Sequence, residues 1–476
     1  MTSQDSQPES LYAKREPVFP RRVTGRFRTL KWWIMAVTLG IYYITPWIRW
    51  DRGPSLPDQA VLIDMANRRF FFFMIEIWPH EFYFVAGLLI MAGLGLFLFT
   101  SAAGRVWCGY ACPQTVWTDL FILVERWIEG DRNARLRLHR SKWTVEKIRK
   151  TALKWTAWLL IGLMTGGAWI FYFTDAPTLA RDLVLGQAHP IAYTTMAILT
   201  ATTFLFGGFF REQICIYACP WPRIQAAMMD EETLTVGYRE WRGEPRGKLK
   251  KGKIDEGQGD CIDCMACVNV CPMGIDIREG QQMACITCAL CIDACNDVMD
   301  KIDRPRGLIG YMALTDENAE REGAAPKSAW KHIFRPRTIL YTALWSAVGV
   351  GLVVALFLRS PIDVNITPVR NPIFVTLSDG SIRNTYDMRL LNKGGQDADF
   401  QISLISEAPL QISLEGTGGL TVTVPANEQK MQRVYVTAAP GSAAAVADRT
   451  DLRLWIEEVG TSNRVGHDTV FNGKDD

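Results

Sequence analysis

The sequence predicts an integral membrane protein with several domains: an α-helical membrane bundle, a cysteine-rich segment inserted into it, and an all-β domain at the C-terminus. Three observations carry this prediction. Long apolar segments alternate with strongly charged ones along the 476 residues. Eight cysteines fall between residues 261 and 295, and short runs of alternating apolar and polar residues fill the region after residue 359.

Five segments have the composition of membrane spans, which need about 20 apolar residues. Threonines dilute the fourth of them. Many of the 17 tryptophans flank the apolar segments, as aromatic residues do at membrane interfaces. A further apolar segment, 68–78, is too short to span and is predicted to be an interfacial piece. The predicted spans are 31–48, 82–103, 153–173, 191–210 and 338–358.

The distribution of lysine and arginine predicts the orientation of these spans. The N-terminal tail 1–30, the loop 104–151 and the loop 211–337 are basic, whereas the short loop 174–190 carries little positive charge. Basic loops stay in the cytoplasm. We therefore expect a bacterial inner-membrane protein, in contact with membrane lipid, whose residues 359–476 lie in the periplasm and whose basic segments lie in the cytoplasm.

The eight clustered cysteines repeat the spacing C-x2-C-x2-C-x3-C twice, which is the ligand pattern of a two-cluster bacterial ferredoxin. In that pattern the first three cysteines of a run hold one 4Fe–4S cluster and the fourth holds the other cluster. Structural zinc is the alternative, but zinc sites pair two C-x2-C knuckles across a longer gap. One cluster is assigned to Cys261, Cys264, Cys267 and Cys295, and the other to Cys285, Cys288, Cys291 and Cys271.

The four remaining cysteines form a second repeat, C-x-Y-A-C-P, after the second and the fourth predicted span. On a helix, positions i and i+4 share a face, so each pair is expected to present two sulfurs to one point, with a break at the proline beyond. Soft thiolates favour Cu(I), which makes these cysteines candidate copper ligands and candidate catalytic residues. Helix packing and dithiol–disulfide exchange are the alternatives. The pairs are Cys108 with Cys112 and Cys215 with Cys219.

Two histidines, His80 and His189, precede the same two spans at similar distances from the cysteine pairs. They are weaker candidates for copper or haem ligands, because interfacial histidines more often have no ligand role. The sequence contains neither a G-x-G-x-x-G fingerprint nor a Walker loop, and it has no nucleic-acid signature. We therefore expect electrons to come from a partner protein or from a quinol.

The C-terminal region predicts an immunoglobulin-like β-sandwich, because its short alternating runs are separated by turn signals such as residues 378–380. The runs are 373–377, 386–390, 400–404, 420–424, 434–436 and 452–456. The predicted domains are a tail 1–30, a four-helix membrane domain 31–210 built from two duplicated hairpins, a ferredoxin domain 211–337, a fifth span 338–358 and the sandwich 359–476.

Together, the two-cluster ferredoxin segment, the paired C-x3-C-P motifs after membrane spans and the C-terminal sandwich resemble the FixG/CcoG (RdxA) family of cytochrome c oxidase accessory proteins. The resemblance covers nearly the whole chain except the N-terminal tail. It implies reduction of Cu(II) to Cu(I), with copper as substrate or transient ligand, for the assembly of a cbb(3)-type oxidase. The implied partners are that oxidase or its copper assembly factors. A quinol-linked electron-transfer subunit without copper chemistry and a non-enzymatic assembly scaffold are the alternatives.

Overall fold

The computed structural model describes residues 17–53, 56–249, 257–325, 327–359, 362–393, 396–461 and 463–474. The chain forms two compact units. One comprises Gln59–Leu352 with the N-terminal segment up to Ile48, and the other comprises Val353–Asp476 with Arg49–Asp58. The predicted membrane and ferredoxin domains therefore share one unit, and the boundaries drawn between them from the sequence stay a prediction.

The helices follow the apolar segments and the short loops between them. Two π-helical turns, Leu205–Phe210 and Ile214–Ala218, extend the region after α8. The α-helices are α1 (Arg26–Ile44), α2 (Tyr83–Ala103), α3 (Val106–Tyr110), α4 (Pro113–Glu129), α5 (Arg132–Arg140), α6 (Val145–Thr165), α7 (Ala176–Leu185), α8 (Pro190–Phe204), α9 (Trp221–Met228), α10 (Glu240–Gly243), α11 (Ala266–Val270), α12 (Leu290–Lys301), α13 (Leu314–Arg321), α14 (Ala329–Ile333), α15 (Pro336–Phe357) and α16 (Ala443–Val446).

The strands are short in the first unit and longer in the second. They are β1 (Val61–Asp64), β2 (Arg69–Phe72), β3 (Ile75–Ile77), β4 (Thr235–Tyr238), β5 (Ile309–Met312), β6 (Ile362–Pro368), β7 (Val375–Thr376), β8 (Ile382–Asn392), β9 (Ala398–Ser406), β10 (Leu410–Leu414), β11 (Thr421–Val424), β12 (Gln429–Ala438), β13 (Arg449–Glu458) and β14 (Arg464–Asn472). The segment 68–78, predicted to be too short to span, forms the hairpin β2–β3, which joins β1 in a three-stranded sheet.

Among the described residues, four helical stretches are long and apolar enough to cross a membrane, as expected of a membrane protein. They are Pro79–Ala103, Val145–Tyr172, Pro190–Phe210 and Pro336–Phe357, and they coincide with four of the five predicted spans.

Helix α1 covers most of the first predicted span but is not one of these four candidate spans, so the count of five stays a prediction. Arg28 and Lys31 lower the hydropathy of α1, yet both side chains are buried. Their cationic groups lie 3.1 Å and 2.8 Å from one carboxylate oxygen of Asp119 on α4. The two charges that reduce the apolar character of α1 are therefore buried around one shared carboxylate, which compensates them in part.

The C-terminal unit is a sandwich of two antiparallel sheets, as the alternating runs predict. One sheet has the strand order β10-β12-β8-β6, with β7 also paired to β8, and the other has the order β11-β9-β13-β14. Residues from both sheets, such as Tyr386 and Ile402, belong to one hydrophobic core. The Tyr386 hydroxyl donates to the carbonyl of Val470 at 2.7 Å, which ties β8 to the opposite sheet. Strands β6, β10 and β14 lie outside the predicted runs.

Candidate metal centres

The two C-x2-C-x2-C loops adopt the same unusual backbone conformation. In the first loop Asp263 and Met265, on either side of Cys264, have φ of 52° and 58°. In the second loop Thr287 and Ala289, on either side of Cys288, have φ of 54° and 59°. Left-handed conformations at non-glycine residues are uncommon and concentrate at functional sites. The matching conformations show that the sequence repeat is also a structural repeat.

A helix begins directly after each loop and carries the next cysteines of the run. Helix α11 contains Cys267 and ends before Cys271, whereas α12 contains both Cys291 and Cys295. Helices α11 and α12 pack against each other. This packing brings the last cysteine of each run toward the loop of the other run.

Two cavities divide the cysteines in the way the spacing predicts. The first cavity is lined by Cys261, Cys264, Cys267 and Cys295. The second is lined by Cys271, Cys285, Cys288 and Cys291, and it also touches Cys267. This crossed grouping supports the predicted exchange of the fourth ligand, and the assignment of each ligand to its cluster stays a prediction.

The environment of the sulfurs fits a 4Fe–4S cluster in each cavity. Burial raises the pKa of Cys267 to about 11 and of Cys295 to about 12, so these thiols are costly as free anions. Iron stabilises bound thiolates, and backbone N–H groups do so as well; the N–H of Thr287 lies 3.4 Å from Cys285 Sγ. Among the described residues no three His, Cys, Asp or Glu side chains could hold a single metal ion. With four cysteines lining each of them, the cavities offer the ligand set that a 4Fe–4S cluster needs.

Arg278 beside the first cavity is a residue that sequence reasoning missed. Its guanidinium is 2.7 Å from Asp263 and 2.6 Å from Asp276, and it also reaches Met265 Sδ at 2.8 Å. It therefore fixes the first loop next to Cys264. No spacing rule links an arginine that far along the chain to a cysteine loop, so the sequence carried no signal for it.

The C-x-Y-A-C-P motifs each begin five residues after the end of a candidate span, as predicted. Their internal geometry differs from the prediction. Cys108 lies in α3 and Cys215 in a π-helical turn, but Cys112 and Cys219 are extended, with ψ of 128° and 125°. The prediction that both cysteines of a pair share one helix face is therefore wrong. The helical turn closes before the second cysteine because the following proline starts a new segment rather than continuing the old one.

Both motifs end in the same backbone hydrogen bond, which links residues five positions apart. The N–H of Cys112 donates to the carbonyl of Trp107 at 3.0 Å, and the N–H of Cys219 donates to the carbonyl of Ile214 at 2.8 Å. Each bond spans five residues, the spacing of a π-turn, which is frequent at functional sites. The side chain of Gln114 donates to the carbonyls of Phe206 and Arg211 at 2.8 Å and 3.2 Å, so the first motif lies beside the end of the fourth predicted span.

The first motif contacts the second ferredoxin loop directly. The Arg105 guanidinium donates to the carbonyls of Met283 and, at 2.9 Å, Cys285. The Tyr110 hydroxyl donates to the carbonyl of Cys288 at 3.2 Å. The roles of Arg105 and Tyr110 in this contact were not predicted, because the spacing of the repeat indicates a function only for the cysteines.

The membrane-proximal and ferredoxin cysteines share one hydrophobic cluster. Cys108 and Cys215 pack against the cluster that contains Cys288, and Cys271 packs there too. The Cys108 thiol donates to Gln225 Oε1 at 3.1 Å, and Gln225 is fully buried. Burial raises the pKa of Cys108, and the Arg105 guanidinium opposes that effect. Two of the four candidate copper ligands therefore adjoin the second cavity.

Cys112 and Cys219, like Cys108, lie close enough to Cys215 to affect its charge state. Burial is the main reason that the pKa of Cys215 rises to about 12, and repulsion from Cys112, Cys108 and Cys219 adds to it. The structure thus brings the four cysteines of the two motifs into one neighbourhood.

His80 and His189 lie at the opposite ends of the spans from these cysteines. His80 lies just before α2, 3.9 Å from the Glu81 carboxylate, and His189 accepts a hydrogen bond from the N–H of Ile191 at 3.3 Å, which caps α8. The 21 residues of α2 alone rise about 30 Å along the helix axis. Both histidines are therefore far from the cysteines, and their role as ligands stays a prediction.

Three family models match the chain. The model described as "4Fe-4S binding domain" matches residues 84–132, and the model described as "4Fe-4S dicluster domain" matches residues 210–314. The model described as "IG-like fold at C-terminal of FixG" matches residues 352–474. The predictions of iron–sulfur clusters and of an immunoglobulin-like sandwich are confirmed by these matches.

The chain is also similar to curated proteins over its whole length. Protein RdxB of Cereibacter sphaeroides is 77% identical, with 100% of each chain covered. Protein RdxA of the same organism is 68% identical, over 95% of this chain and 96% of RdxA. Nitrogen fixation protein FixG of Rhizobium meliloti is 54% identical, over 97% of this chain and 94% of FixG. With its cysteine-lined cavities and its C-terminal sandwich, the chain is therefore an iron–sulfur electron-transfer protein that belongs to the FixG/RdxA family.

Proposed function

We propose that this protein reduces Cu(II) to Cu(I) and supplies the product for the assembly of a cbb(3)-type cytochrome c oxidase. Copper is the substrate, and Cys108, Cys112, Cys215 and Cys219 receive it. The observation that carries the proposal is the hydrophobic cluster in which Cys108 and Cys215 pack beside Cys271 and Cys288. Soft sulfur ligands stabilise Cu(I) relative to Cu(II), which favours reduction at these sulfurs.

The route for the electron is short because α3 touches the second ferredoxin loop. A Cβ atom at Gly109 would lie 2.6 Å from the carbonyl oxygen of Ile286 and 3.0 Å from Cα of Cys288. The two backbones are therefore in contact directly after Cys108, the first cysteine of the first motif. A bound 4Fe–4S cluster supplies one electron at a time, which matches the one electron that Cu(II) needs.

The proposed topology follows the positive-inside rule. With α1 as a fifth span, the N-terminus and residues 211–337 lie in the cytoplasm of a bacterial inner membrane, and the sandwich lies in the periplasm. Thiolate ligands stay reduced on the cytoplasmic side. Reaction of single-cysteine variants with a membrane-impermeant maleimide in intact cells tests this arrangement.

The copper reaction is tested on the full-length protein, reduced with dithionite, freed of excess reductant and titrated anaerobically with Cu(II). Loss of the cluster EPR signals and formation of Cu(I) are followed together. Wild-type protein is expected to form one Cu(I) for each cluster electron lost. Cys108→Ser is expected to keep both cluster signals and to be reoxidised at least about 10-fold more slowly, since a positioned group commonly contributes this much or more.

The matched control is Tyr217→Phe, an exposed position in the second motif. It is expected to react like wild type. Wild-type rates in Cys108→Ser, with the cluster signals intact, would remove the four cysteines from the mechanism. Quinol-dependent cluster reduction with no response to copper would instead favour a quinol-linked subunit. If variants of the cluster ligands still assemble active oxidase and a protein without residues 362–476 does not, the protein would instead be an assembly scaffold.

A second role for the four cysteines is favoured by the 4Fe–4S binding match over residues 84–132, a range whose cysteines are Cys108 and Cys112. A cluster needs four ligands, and Cys215 and Cys219 would provide the other two. Iron content separates the roles: a copper site leaves about eight iron atoms per chain, whereas a third cluster raises the number to about twelve.

A further inference from the structure

A charged cavity lies between the start of α1 and the end of α4, apart from the cysteine-lined cavities. Its volume is about 370 Å³. Three arginines and two tryptophans line it, together with a single carboxylate. These side chains are Arg22, Arg28, Arg126, Trp32, Trp127 and Asp131.

The cavity carries an excess of positive charge. Arg28 shares the one carboxylate of Asp119 with Lys31, so that group of three keeps a net charge of about +1. Asp131 accepts a hydrogen bond from the N–H of Arg22 at 3.0 Å and lies 4.0 Å from the Arg126 guanidinium, so one carboxylate faces both arginines. Burial and then repulsion from Arg28 lower the pKa of Arg126. An anion in the cavity would relieve this repulsion.

Two of the backbone donors at the start of α1 are already used. Asp293 on α12 accepts hydrogen bonds from the N–H groups of Phe27 and Arg28 at 3.2 Å and 2.8 Å. A ligand in the cavity would therefore be held by arginine side chains rather than by the helix terminus. Planar guanidinium groups match the oxygens of a phosphate, and arginine binds that group well.

An exposed apolar stripe runs up α1 from the cavity. Its large side chains are spaced at three or four residues, so they lie on one face of the helix. Such a continuous exposed surface marks a contact with lipid or with another chain. Trp127, which is 76% exposed, stands on α4 at the edge of the cavity, as tryptophans do at the headgroup level. The stripe consists of Leu30, Trp33, Val37, Ile41 and Ile44.

We propose that this cavity binds the phosphate of an acidic phospholipid headgroup, with the acyl chains lying along the apolar stripe of α1. A cationic pocket at the base of an apolar helix face matches both parts of such a lipid. A quinol is a poorer match, because its neutral hydroxyl groups would need acceptors and the lining offers one carboxylate. Asp293, which accepts hydrogen bonds from the start of α1, lies between two cluster cysteines on α12. A lipid bound beside the start of α1 would therefore help to hold this helix against the ferredoxin region.

The test uses the full-length protein, purified in detergent and stripped of native lipid. Dioctanoyl phosphatidylglycerol and dioctanoyl phosphatidylcholine are titrated separately, and native mass spectrometry counts the bound molecules. Wild type is expected to prefer phosphatidylglycerol. Arg22→Glu is expected to lower its affinity roughly 10-fold or more, because each basic residue contributes about one kcal/mol at an anionic lipid surface. The Arg22 side chain is exposed, so the variant should fold.

Arg140→Glu is the matched control, since Arg140 is exposed at the end of α5 and does not line the cavity. It is expected to keep the preference. Arg126→Gln serves as a second cavity variant, with unchanged cluster absorbance as the check on folding. Equal binding of the two lipids, an equal loss in Arg140→Glu, or full competition by inorganic phosphate or by decylubiquinone would overturn the proposal.

Discussion

The two C-x-Y-A-C-P motifs are nearly identical in sequence and have different surroundings. Tyr110 in the first is 4% exposed and donates to the carbonyl of Cys288 at 3.2 Å, whereas Tyr217 in the second is 68% exposed. The basic residues differ in the same way. Arg105 donates to the carbonyl of Cys285, while Arg211 pairs with the buried carboxylate of Glu125. The arginine and the tyrosine of the first motif therefore bond the ferredoxin loop, whereas the arginine of the second motif bonds a membrane-proximal helix and its tyrosine is exposed.

The one variable position inside the motif accounts for part of this difference. The first copy has Gly109 where the second has Ile216. Glycine allows the backbone of α3 to approach Ile286, because there is no Cβ to separate them. The comparison teaches that both copies retain the arginine, the tyrosine and the two cysteines, while the close approach to the cluster loop uses the glycine at the one position that differs.

The largest expected effect comes from Gly109→Ala. The added methyl group would overlap the carbonyl oxygen of Ile286, a backbone atom that cannot move alone. We expect the free energy of unfolding to fall by about 3 kcal/mol, at the upper end for overpacking. Thermal unfolding and iron content measure the loss, and the iron of the second cavity should be lost first.

Gly93→Ala in α2 is the matched control, since nothing lies within 4 Å of its new Cβ. Alanine is the better helix former there, so stability should be unchanged or slightly higher. Equal behaviour of the two variants would show that the approach of α3 to the ferredoxin loop is not tight.

A smaller loss is expected for Arg105→Gln. The buried guanidinium bonds two carbonyls of the second loop, and hydrogen bonds from charged groups contribute about 2 kcal/mol. Without this positive charge the reduced cluster, which holds one more electron, is less stable. The reduction potential of the adjacent cluster should therefore fall by about 40 mV, the one-electron equivalent of about 1 kcal/mol. A redox titration followed by EPR measures the shift. Arg105→Lys, which keeps the charge, should restore most of the potential.

The smallest expected effect comes from Tyr110→Phe, which removes one buried hydrogen bond to Cys288. We expect a loss of about 1 kcal/mol in unfolding free energy. Tyr217→Phe, at the equivalent exposed position, should change stability by less than about 0.5 kcal/mol. If the two variants lose equal stability in parallel denaturation experiments, the hydrogen bond from Tyr110 to Cys288 does not contribute to stability.

Sequence patterns predicted the elements whose signal is local. Four spans, the sandwich and the two ferredoxin loops follow from apolar runs, alternation and cysteine spacing, which act over a few neighbouring residues. Strand β10 was missed although Leu410–Leu414 alternates apolar and polar residues as the predicted runs do. The break within each C-x-Y-A-C-P motif was also missed, because helix periodicity does not reveal where a π-turn closes.

By itself, the sequence determined the number and spacing of the cysteines and the presence of long apolar helices, since both depend on residues close together in the chain. The tertiary structure decided which partners those residues meet. It placed Asp119 against Arg28 and Lys31, so that two buried charges of α1 share one carboxylate inside the protein. It also set Gly109 against Ile286, and the first motif beside the cluster loop. These contacts join residues about 90 to 180 positions apart, and no periodicity in the chain encodes such pairs.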